Sequence, residues 1–366
     1  MPHRARLQQT GQGAFYVYLP KKWFAANSMK KGDLLDLHEA ENYLLLCRSL
    51  KWKMAREKPV EILATGDPGD LYWRILSSYV HGCLRTRITR KDGEQFDTKQ
   101  LTMANEILHK LRGIEPALGQ DQIEYVDITD YEQTRPFVEL SRMFKTIGLL
   151  FEQNRLLLNP DYNFETLADV LHQHWISEKE QVNPTSFYIH RIVNVVLEYP
   201  ELCPVNDIPS LGECQFVGLV TYVLERIGDT LYAIGGHVAE LSLSDPSQAG
   251  EIMKYPPEYI RRRLRRTRSE DVSGALTLFQ SRITQLSHLI RVAERVVSTR
   301  NPGEAMRLAE QVRKWSADMR VTPVKTQRLA DLVPVKSLFA IHNRLWELSS
   351  YVESLGNRTC QFYHYL

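Results

Sequence analysis

Two pairs of oxygen-bearing side chains recur at the same spacing in distant parts of the chain. Glu225 and Asp229 lie in segment 224–229, and Glu353 and Asn357 lie in segment 352–357. Because residues i and i+4 share one face of a helix, each pair predicts two oxygen ligands side by side. Such a pair can bind a hard cation or accept hydrogen bonds from a partner. The shared order, hydrophobic-Glu-x-aliphatic-Gly-(Asp/Asn), indicates a duplicated helical unit.

The first copy, Leu-Glu-Arg-Ile-Gly-Asp, resembles the Leu-Glu-Arg-Ile-x-Asp signature of the PhoU family of phosphate-uptake regulators. The second copy is degenerate, with Ser354 in place of the arginine and Asn357 in place of the aspartate. The family is built from tandem three-helix bundles, and the resemblance implies the same here, in residues 134–245 and 256–366. Apolar periodicity independently predicts helices over 137–158, 163–180, 187–199 and 215–241, and then over 271–299, 302–319 and 334–365.

The PhoU resemblance also implies a bound cation in the first bundle, weakly held Mg²⁺ or Mn²⁺, or Zn²⁺ or iron. The implied metal ligands are Glu225, Asp229 and Glu180, with Glu353 as the counterpart in the second bundle. Asn183 occupies a position where the family has an aspartate, which removes charge from the site. Pro184 follows it and predicts that the helix kinks or restarts there. The alternative for Glu225 and Asp229 is a solvated helix face paired with Arg226.

The N-terminal segment is more basic than the rest of the chain. Residues 1–56 contain 10 Lys and Arg against 4 Asp and Glu, a net charge of +6, so the remainder of this +2 chain carries −4. Short strands at 15–19, 34–38 and 43–48, with a helix at 21–28, are predicted by alternation and turn residues. So few strand residues bury little core, which favours a dimer that shares strands.

The order of residues in this segment resembles the AbrB/SpoVT DNA-binding domain. The resemblance rests on Arg6, Gln8, Gly11 and Gly13, then on Leu-Pro-Lys-x-Trp at 19–23 and Lys-Lys-Gly-Asp at 30–33. It implies that residues 1–53 form a swapped-hairpin β-barrel, a homodimer whose basic face contacts DNA. The implied phosphate contacts are Arg4, Arg6, Lys21 and Lys22. The alternative is a dimerisation clasp whose lysines are only solvated.

Between these parts, residues 57–130 predict a small βαβαβ unit that links them. It resembles the linking module of archaeal proteins that join an AbrB-like domain to PhoU-like bundles. The predicted fold is therefore multidomain and mainly α: an AbrB-like barrel, a βαβαβ unit and tandem PhoU-like three-helix bundles.

A second basic feature is the run 261–268, which contains six arginines. Arg261, Arg262, Arg263, Arg265 and Arg266 are candidate contacts to DNA, an acidic partner or phosphate. The alternative is a solvated connector whose arginines pair with nearby acids such as Glu258, Glu270 and Asp271.

Other patterns exclude several classes of protein. No apolar run reaches the roughly 20 residues that a membrane helix needs, and the start is not that of a signal peptide. The five cysteines are scattered, which is typical of reduced thiols in the cytoplasm. The sequence contains no phosphate-binding loop, nucleophile elbow or zinc-protease motif, so catalysis is not expected.

The sequence therefore predicts a cytoplasmic, homodimeric, DNA-binding transcriptional regulator of phosphate uptake. Its helical bundles would sense a ligand or dock a partner such as a phosphate transporter. Two alternatives stay open: a protein-interaction regulator of a transporter or kinase that does not bind DNA, and a sequence-tolerant protein that organises DNA.

Overall fold

The chain folds into two compact units, residues 1–58 and residues 59–366. The structure, a computed structural model, describes residues 8–9, 11, 15–26, 29–33, 35–40, 43–48, 59–131, 133–161, 163–203, 208, 210–243, 246–264, 270–321 and 333–364. The protein is mainly helical.

Within its described residues, the first unit contains two antiparallel strand pairs and one short helix. Strand β1 (Gln8–Gln9) pairs with β2 (Phe15–Tyr16), and β3 (Leu35–Ala40) pairs with β4 (Tyr43–Arg48). Helix α1 (Lys21–Ala26) lies between these pairs in the chain. Gly32 follows with φ 99°, a left-handed conformation that glycine adopts without strain. The predicted hairpin and short helix are present, whereas the closed barrel and the dimer stay predictions.

The second unit begins with a four-stranded sheet covered by helices. Its elements are β5 (Val60–Ala64), α2 (Pro68–Val80), β6 (Arg85–Arg90), α3 (Thr98–Lys110), β7 (Ile114–Leu118) and β8 (Ile123–Asp127). The strand order is β5-β6-β8-β7, in which β5 and β6 are parallel and the other pairs are antiparallel. The predicted βαβαβ order lacked β7. This strand contains Pro116 and pairs only with β8 at the sheet edge, where a missing N–H is tolerated.

Local sequence signals explain where the two helices of this layer begin. The side chain of Asp67 accepts hydrogen bonds from the backbone N–H groups of Gly69 and Asp70 at the start of α2. Asp97 and Gln100 form a reciprocal capping box at the start of α3, with distances of 2.8 and 3.0 Å. These bonds satisfy N–H groups that the first helical turn leaves unpaired.

The remainder of the second unit is a body of long helices. Its first half comprises α4 (Pro136–Leu157), α5 (Phe164–Ile176), a π-helical segment (Ser177–Val182), α6 (Asn183–Glu198) and α7 (Leu211–Ser242). The short helices α8 (Ala249–Ile252) and α9 (Pro257–Arg261) follow. The second half comprises α10 (Glu270–Thr299), α11 (Pro302–Val321) and α12 (Val333–His364).

The two halves of this body pack on each other. Helix α7 lies along α12, and α4 lies between α7 and α10. Their contacts bury aliphatic side chains of α7 such as Leu224, Ile227 and Leu231, together with Leu345 and Leu348 of α12. Burial of such side chains supplies most of the free energy that holds the helices together. Residues 59–366 are therefore one compact unit rather than separate bodies.

One prediction about the helices was wrong in detail. Two helices were expected at 163–180 and 187–199, but α5, the π segment and α6 follow one another directly from 164 to 198. Proline lacks an N–H and collides with the carbonyl four residues before it in an α-helix. The wider π turn before Pro184 accommodates it, and the N–H of Asn183 bonds to the carbonyl of Glu178, five residues back.

A buried polar junction joins the sheet layer to the helices. The guanidinium of Arg191, on α6, donates to Asp127 and to the backbone oxygens of Tyr79 and Cys83. Asn194, one turn further along α6, donates to the oxygen of Val80 over 2.7 Å. In the part of the chain that the structure describes, no helix is long and apolar enough to cross a membrane.

Candidate functional sites

The first candidate site lies where α7 approaches α4 and the π segment. Glu225 and Asp229 are both half-buried on α7. Between them, Gly228 lets the helices approach closely, because a Cβ at this position would lie 3.1 Å from Val182 and 3.2 Å from Ile147. The glycine of the repeated motif therefore has a packing role. The side chain of Asp229 next to it remains 40% exposed.

The π segment adds a third carboxylate that the sequence did not reveal. Glu178 is fully buried, with Oε1 3.1 Å from the ammonium of Lys179. Its other oxygen lies 3.8 Å from the Cβ position of Gly228, which places it against the centre of the α7 motif. Among the described residues, Oε2 of Glu178 and Oδ1 of Asn183 are buried and accept no hydrogen bond.

Burial and the charge of Asp229 raise the pKa values of Glu178 and Glu225. Burial raises the pKa of Glu178 to about 7; the cation of Lys179 opposes this effect and the charge of Asp229 adds to it. Burial also raises the pKa of Glu225, and the neighbouring Asp229 raises it further. Glu178, Glu225 and Asp229 thus form an electrostatically coupled set of carboxyls, which we name the acidic cluster.

Glu180 does not belong to the acidic cluster. Its side chain lies at the protein surface and forms an ion pair of 2.8 Å with Lys110 on α3. Glu180 was implied as a ligand by the PhoU resemblance, whereas the structure places Glu178 of the same segment against α7. The position of Pro184 was the available signal, since it required an irregular turn just before it.

The residues present do not form a site that fits a tightly held metal ion. Within the described part of the chain, no group of three or more His, Cys, Asp or Glu side chains could hold one. Of the four predicted ligands, the structure brings together Glu225 and Asp229, whereas Glu180 pairs with Lys110 and Glu353 lies in the other half of the body. Burial raises the pKa values of Glu178 and Glu225, which opposes the ionised form that a metal ligand needs.

The second copy of the motif keeps the helix contact at its glycine but only one of the two acids. Gly356 of α12 lies against α11, where a Cβ would contact Val312 at 3.5 Å and Leu308 at 3.6 Å. Glu353 is half-buried beside it, but Glu310 of α11 is exposed to solvent. The motif at 352–357 therefore preserves a helix contact, as the motif at 224–229 does.

His174, on α5, is fully buried against α4 and α7. Nδ1 of His174 is 3.1 Å from Oε1 of Gln153, and Nε2 is 3.0 Å from the backbone oxygen of Leu231. Burial lowers the pKa of His174 to about 4, so the ring is neutral near pH 7. Gly235 makes room for the imidazole, since a Cβ there would lie 2.4 Å from Cδ2 of the ring.

The arginine run is partly engaged within the chain. Nη2 of Arg261 lies 2.8 Å from both carboxylate oxygens of Asp169 on α5, and Nη1 of Arg263 donates to Gln248 over 2.8 Å. Arg262 is exposed, and Arg265 and Arg266 lie outside the described residues. The observed partner of Arg261, Asp169, is distant in sequence, whereas the predicted partners were neighbours of the run.

In the first unit, Lys21 and Lys22 are exposed on α1. Arg4 and Arg6, the other predicted phosphate contacts, lie outside the described residues.

Comparison with family models, with curated proteins and with solved structures gives no match to this chain. The function is therefore inferred from the residues and their geometry.

Proposed function

We propose that the chain is a DNA-binding transcriptional regulator whose N-terminal unit contacts DNA and whose helical body responds to a ligand or partner linked to phosphate supply. The observation that carries this proposal is the division of charge between the two compact units. Residues 1–58 hold 11 Lys and Arg against 5 Asp and Glu, a net charge of +6, so residues 59–366 carry −4.

This division suits a protein that binds DNA through one of its two units. A dimer would carry about +12 in its N-terminal units, enough to displace several counterions from a duplex. The excess of acids in the other unit would keep the helical body away from the phosphates. The exposed position of Lys21 and Lys22 on a short helix supports a role in phosphate contact.

A response to a signal requires differential binding. A ligand or partner on the helical body changes DNA affinity only if it binds one arrangement of the dimer better than another. The resemblance to phosphate-uptake regulators supports phosphate supply as the signal and a phosphate transporter as a partner. The same resemblance supports a weakly bound divalent cation in the first bundle.

Salt-dependent DNA binding tests the proposal. The full chain is titrated onto its own upstream DNA and onto random duplex at several salt concentrations. Lys21→Ala combined with Lys22→Ala should weaken binding and flatten the salt slope by about 0.9 for each DNA phosphate that is no longer neutralised. The matched control is Lys99→Ala combined with Lys336→Ala, which removes the same charge from exposed positions of the second unit.

Each outcome separates the proposal from its alternatives. A preference for the upstream DNA that the N-terminal variant reduces and the control retains would support the proposal. Equal binding to all duplexes would instead favour a DNA-organising protein. Absence of binding at low salt would overturn DNA recognition and favour a regulator that contacts a transporter or kinase.

A further inference from the structure

A pocket opens between the sheet layer and the π segment. Helices α2 and α3 form one side of it, and α5, the π segment and α6 form the other. Its volume is about 330 Å³, within the range of sites that bind small molecules. Buried apolar side chains, Ile107, Leu111 and Pro184, provide part of its lining. An apolar pocket of this size can remove a small planar ligand from water.

Three aromatic side chains line this pocket: Tyr72, Trp175 and Phe187. Tyr72 and Phe187 pack on the core of the sheet layer, and the indole of Trp175 stacks on His172 with ring centroids 6.1 Å apart. Each of the three is only half-buried, so part of its surface remains available. Aromatic faces of this kind stack on nucleobases, a contact worth about 1–3 kcal/mol per base.

Two lysines supply the cationic groups of the pocket. Among the described residues that line it, Lys110 and Lys179 are cationic and Glu106 is anionic. Lys110 is 46% exposed and its ammonium lies 2.8 Å from Glu180, an exposed pair of the kind that contributes little stability. A phosphate group can replace that carboxylate with stronger, charge-assisted hydrogen bonds. Lys110 and Lys179 stand on opposite sides of the pocket. The ammonium of Lys179 lies 3.1 Å from Oε1 of Glu178 and 4.7 Å from the centre of the Tyr232 ring, so a phosphate in the pocket would compete with these two partners for it.

The walls of the pocket are held in place before any ligand arrives. Arg191 joins α6 to Asp127, and Asn194 joins α6 to the end of α2. Because these contacts are buried or half-buried, the two sides of the pocket cannot separate without breaking them. A preformed pocket loses less free energy to ordering when it binds a ligand.

We propose that this pocket binds a mononucleotide, with the base against Trp175 and the phosphate at Lys110 and Lys179. Lys179 also neutralises Glu178, so a phosphate that attracts this lysine changes the charge balance of the acidic cluster. A ligand in this pocket would therefore affect α7, because Lys179 contacts Glu178 and Glu178 lies against Gly228 of α7. This inference goes beyond DNA recognition and is measured without DNA, so the two proposals fail independently.

Calorimetry on the full chain provides the direct test. Adenosine, guanosine and uridine monophosphates are the probes, and free adenosine and inorganic phosphate are the controls for the two halves of the ligand. We expect at least one mononucleotide to bind with a dissociation constant below about 1 mM and at least about ten-fold more tightly than adenosine or phosphate. Absence of binding by all three mononucleotides at about 1 mM would overturn the proposal.

Substitutions locate the bound ligand. Lys110→Gln should weaken mononucleotide binding at least about ten-fold, because it removes a charge-assisted hydrogen bond to the phosphate. Lys99→Gln, an exposed position on the same helix and outside the pocket, should leave binding unchanged. In Trp175→Phe, the ligand-induced change in tryptophan fluorescence should disappear. Equal binding by the two lysine variants, or by adenosine and its monophosphate, would refute the assignment.

Discussion

Nη2 of Arg191 donates a hydrogen bond to Oδ2 of Asp127 over 2.6 Å, and neither side chain has any exposure to solvent. Asp127 also accepts a hydrogen bond from the hydroxyl of Tyr131. Arg191 lies on α6 and Asp127 ends β8, so this ion pair crosses from the helical body to the sheet layer. Nε of Arg191 also donates to Asp127, and Nη1 and Nη2 donate to the backbone oxygens of Tyr79 and Cys83, which offsets the cost of its burial.

Arg191→Met should lower the free energy of unfolding by about 3–5 kcal/mol, because it leaves the charge of Asp127 buried without its cation. Urea unfolding followed by circular dichroism measures the decrease. Adding Asp127→Asn should restore part of it, since the uncompensated charge is then removed. Arg226→Met is the control: its ion pair with Asp229 is exposed and 3.8 Å long, so its removal should cost less than about 1 kcal/mol. Equal decreases in the two single variants would contradict this interpretation.

Two adjacent glycines of α7 provide a test of packing around His174. Gly235→Ala should destabilise the protein by about 1–3 kcal/mol, because the new methyl group overlaps the imidazole. Gly236→Ala should be neutral or stabilise by up to about 1 kcal/mol, because a Cβ there meets no atom within 4 Å and alanine favours a helix. Thermal unfolding of both variants measures the difference. A cost shared by both would show that helix α7 needs flexibility rather than space for His174.

His174 should make the protein less stable in acid. Its pKa is lowered to about 4 by burial, while the unfolded chain protonates the ring near its ordinary value of 6.5. As the pH falls from 6.5 to 4, the unfolded state binds the proton first, so stability decreases by up to about 3 kcal/mol. His174→Gln should remove this part of the pH dependence. Between pH 7 and 8 the ring is neutral in both states, so wild type and variant should there differ by a constant amount.

Regular elements could be predicted closely because their signals are local. The expected helix at 137–158 is observed at Pro136–Leu157, and the one at 271–299 is observed at Glu270–Thr299. Apolar periodicity indicates these elements from a few neighbouring residues. The mainly helical character was predicted for the same reason. The barrel, the dimer and the family assignments stay predictions, because the bounds of single helices do not depend on them.

The acidic cluster could not be predicted because it depends on an irregular turn. One π segment decides that Glu178, and not Glu180, faces α7. The PhoU resemblance named Glu180 and did not single out Glu178. The Arg191–Asp127 pair was missed for a different reason. It joins residues far apart in the chain, and no local pattern distinguishes a buried arginine from an exposed one.

Glu178, the buried member of the acidic cluster, should make the protein less stable at alkaline pH. Burial raises its pKa to about 7, above the ordinary value of 4.5, so the folded state prefers the protonated form. Stability from this group is therefore present at low pH and disappears as the pH rises through 7. Glu178→Gln keeps the shape without the charge, so it should stabilise the protein at pH 8 by up to about 3 kcal/mol and change little at pH 4.5. Urea unfolding at the two pH values measures the difference.

Metal chelation distinguishes this interpretation from a metal site. Because the described residues do not assemble three metal ligands, treatment with EDTA should leave the thermal midpoint of wild type and of Glu178→Gln unchanged. Mn²⁺ at concentrations on the order of micromolar should likewise have no effect, since few carboxylates and several waters hold such an ion weakly. The prediction would be contradicted if EDTA lowered the thermal unfolding midpoint of the wild type but not that of Glu178→Gln. Glu180→Gln is the matched control, because Glu180 lies in the same segment but pairs with Lys110 at the surface. Its response to EDTA should equal that of the wild type, because Glu180 lies outside the acidic cluster.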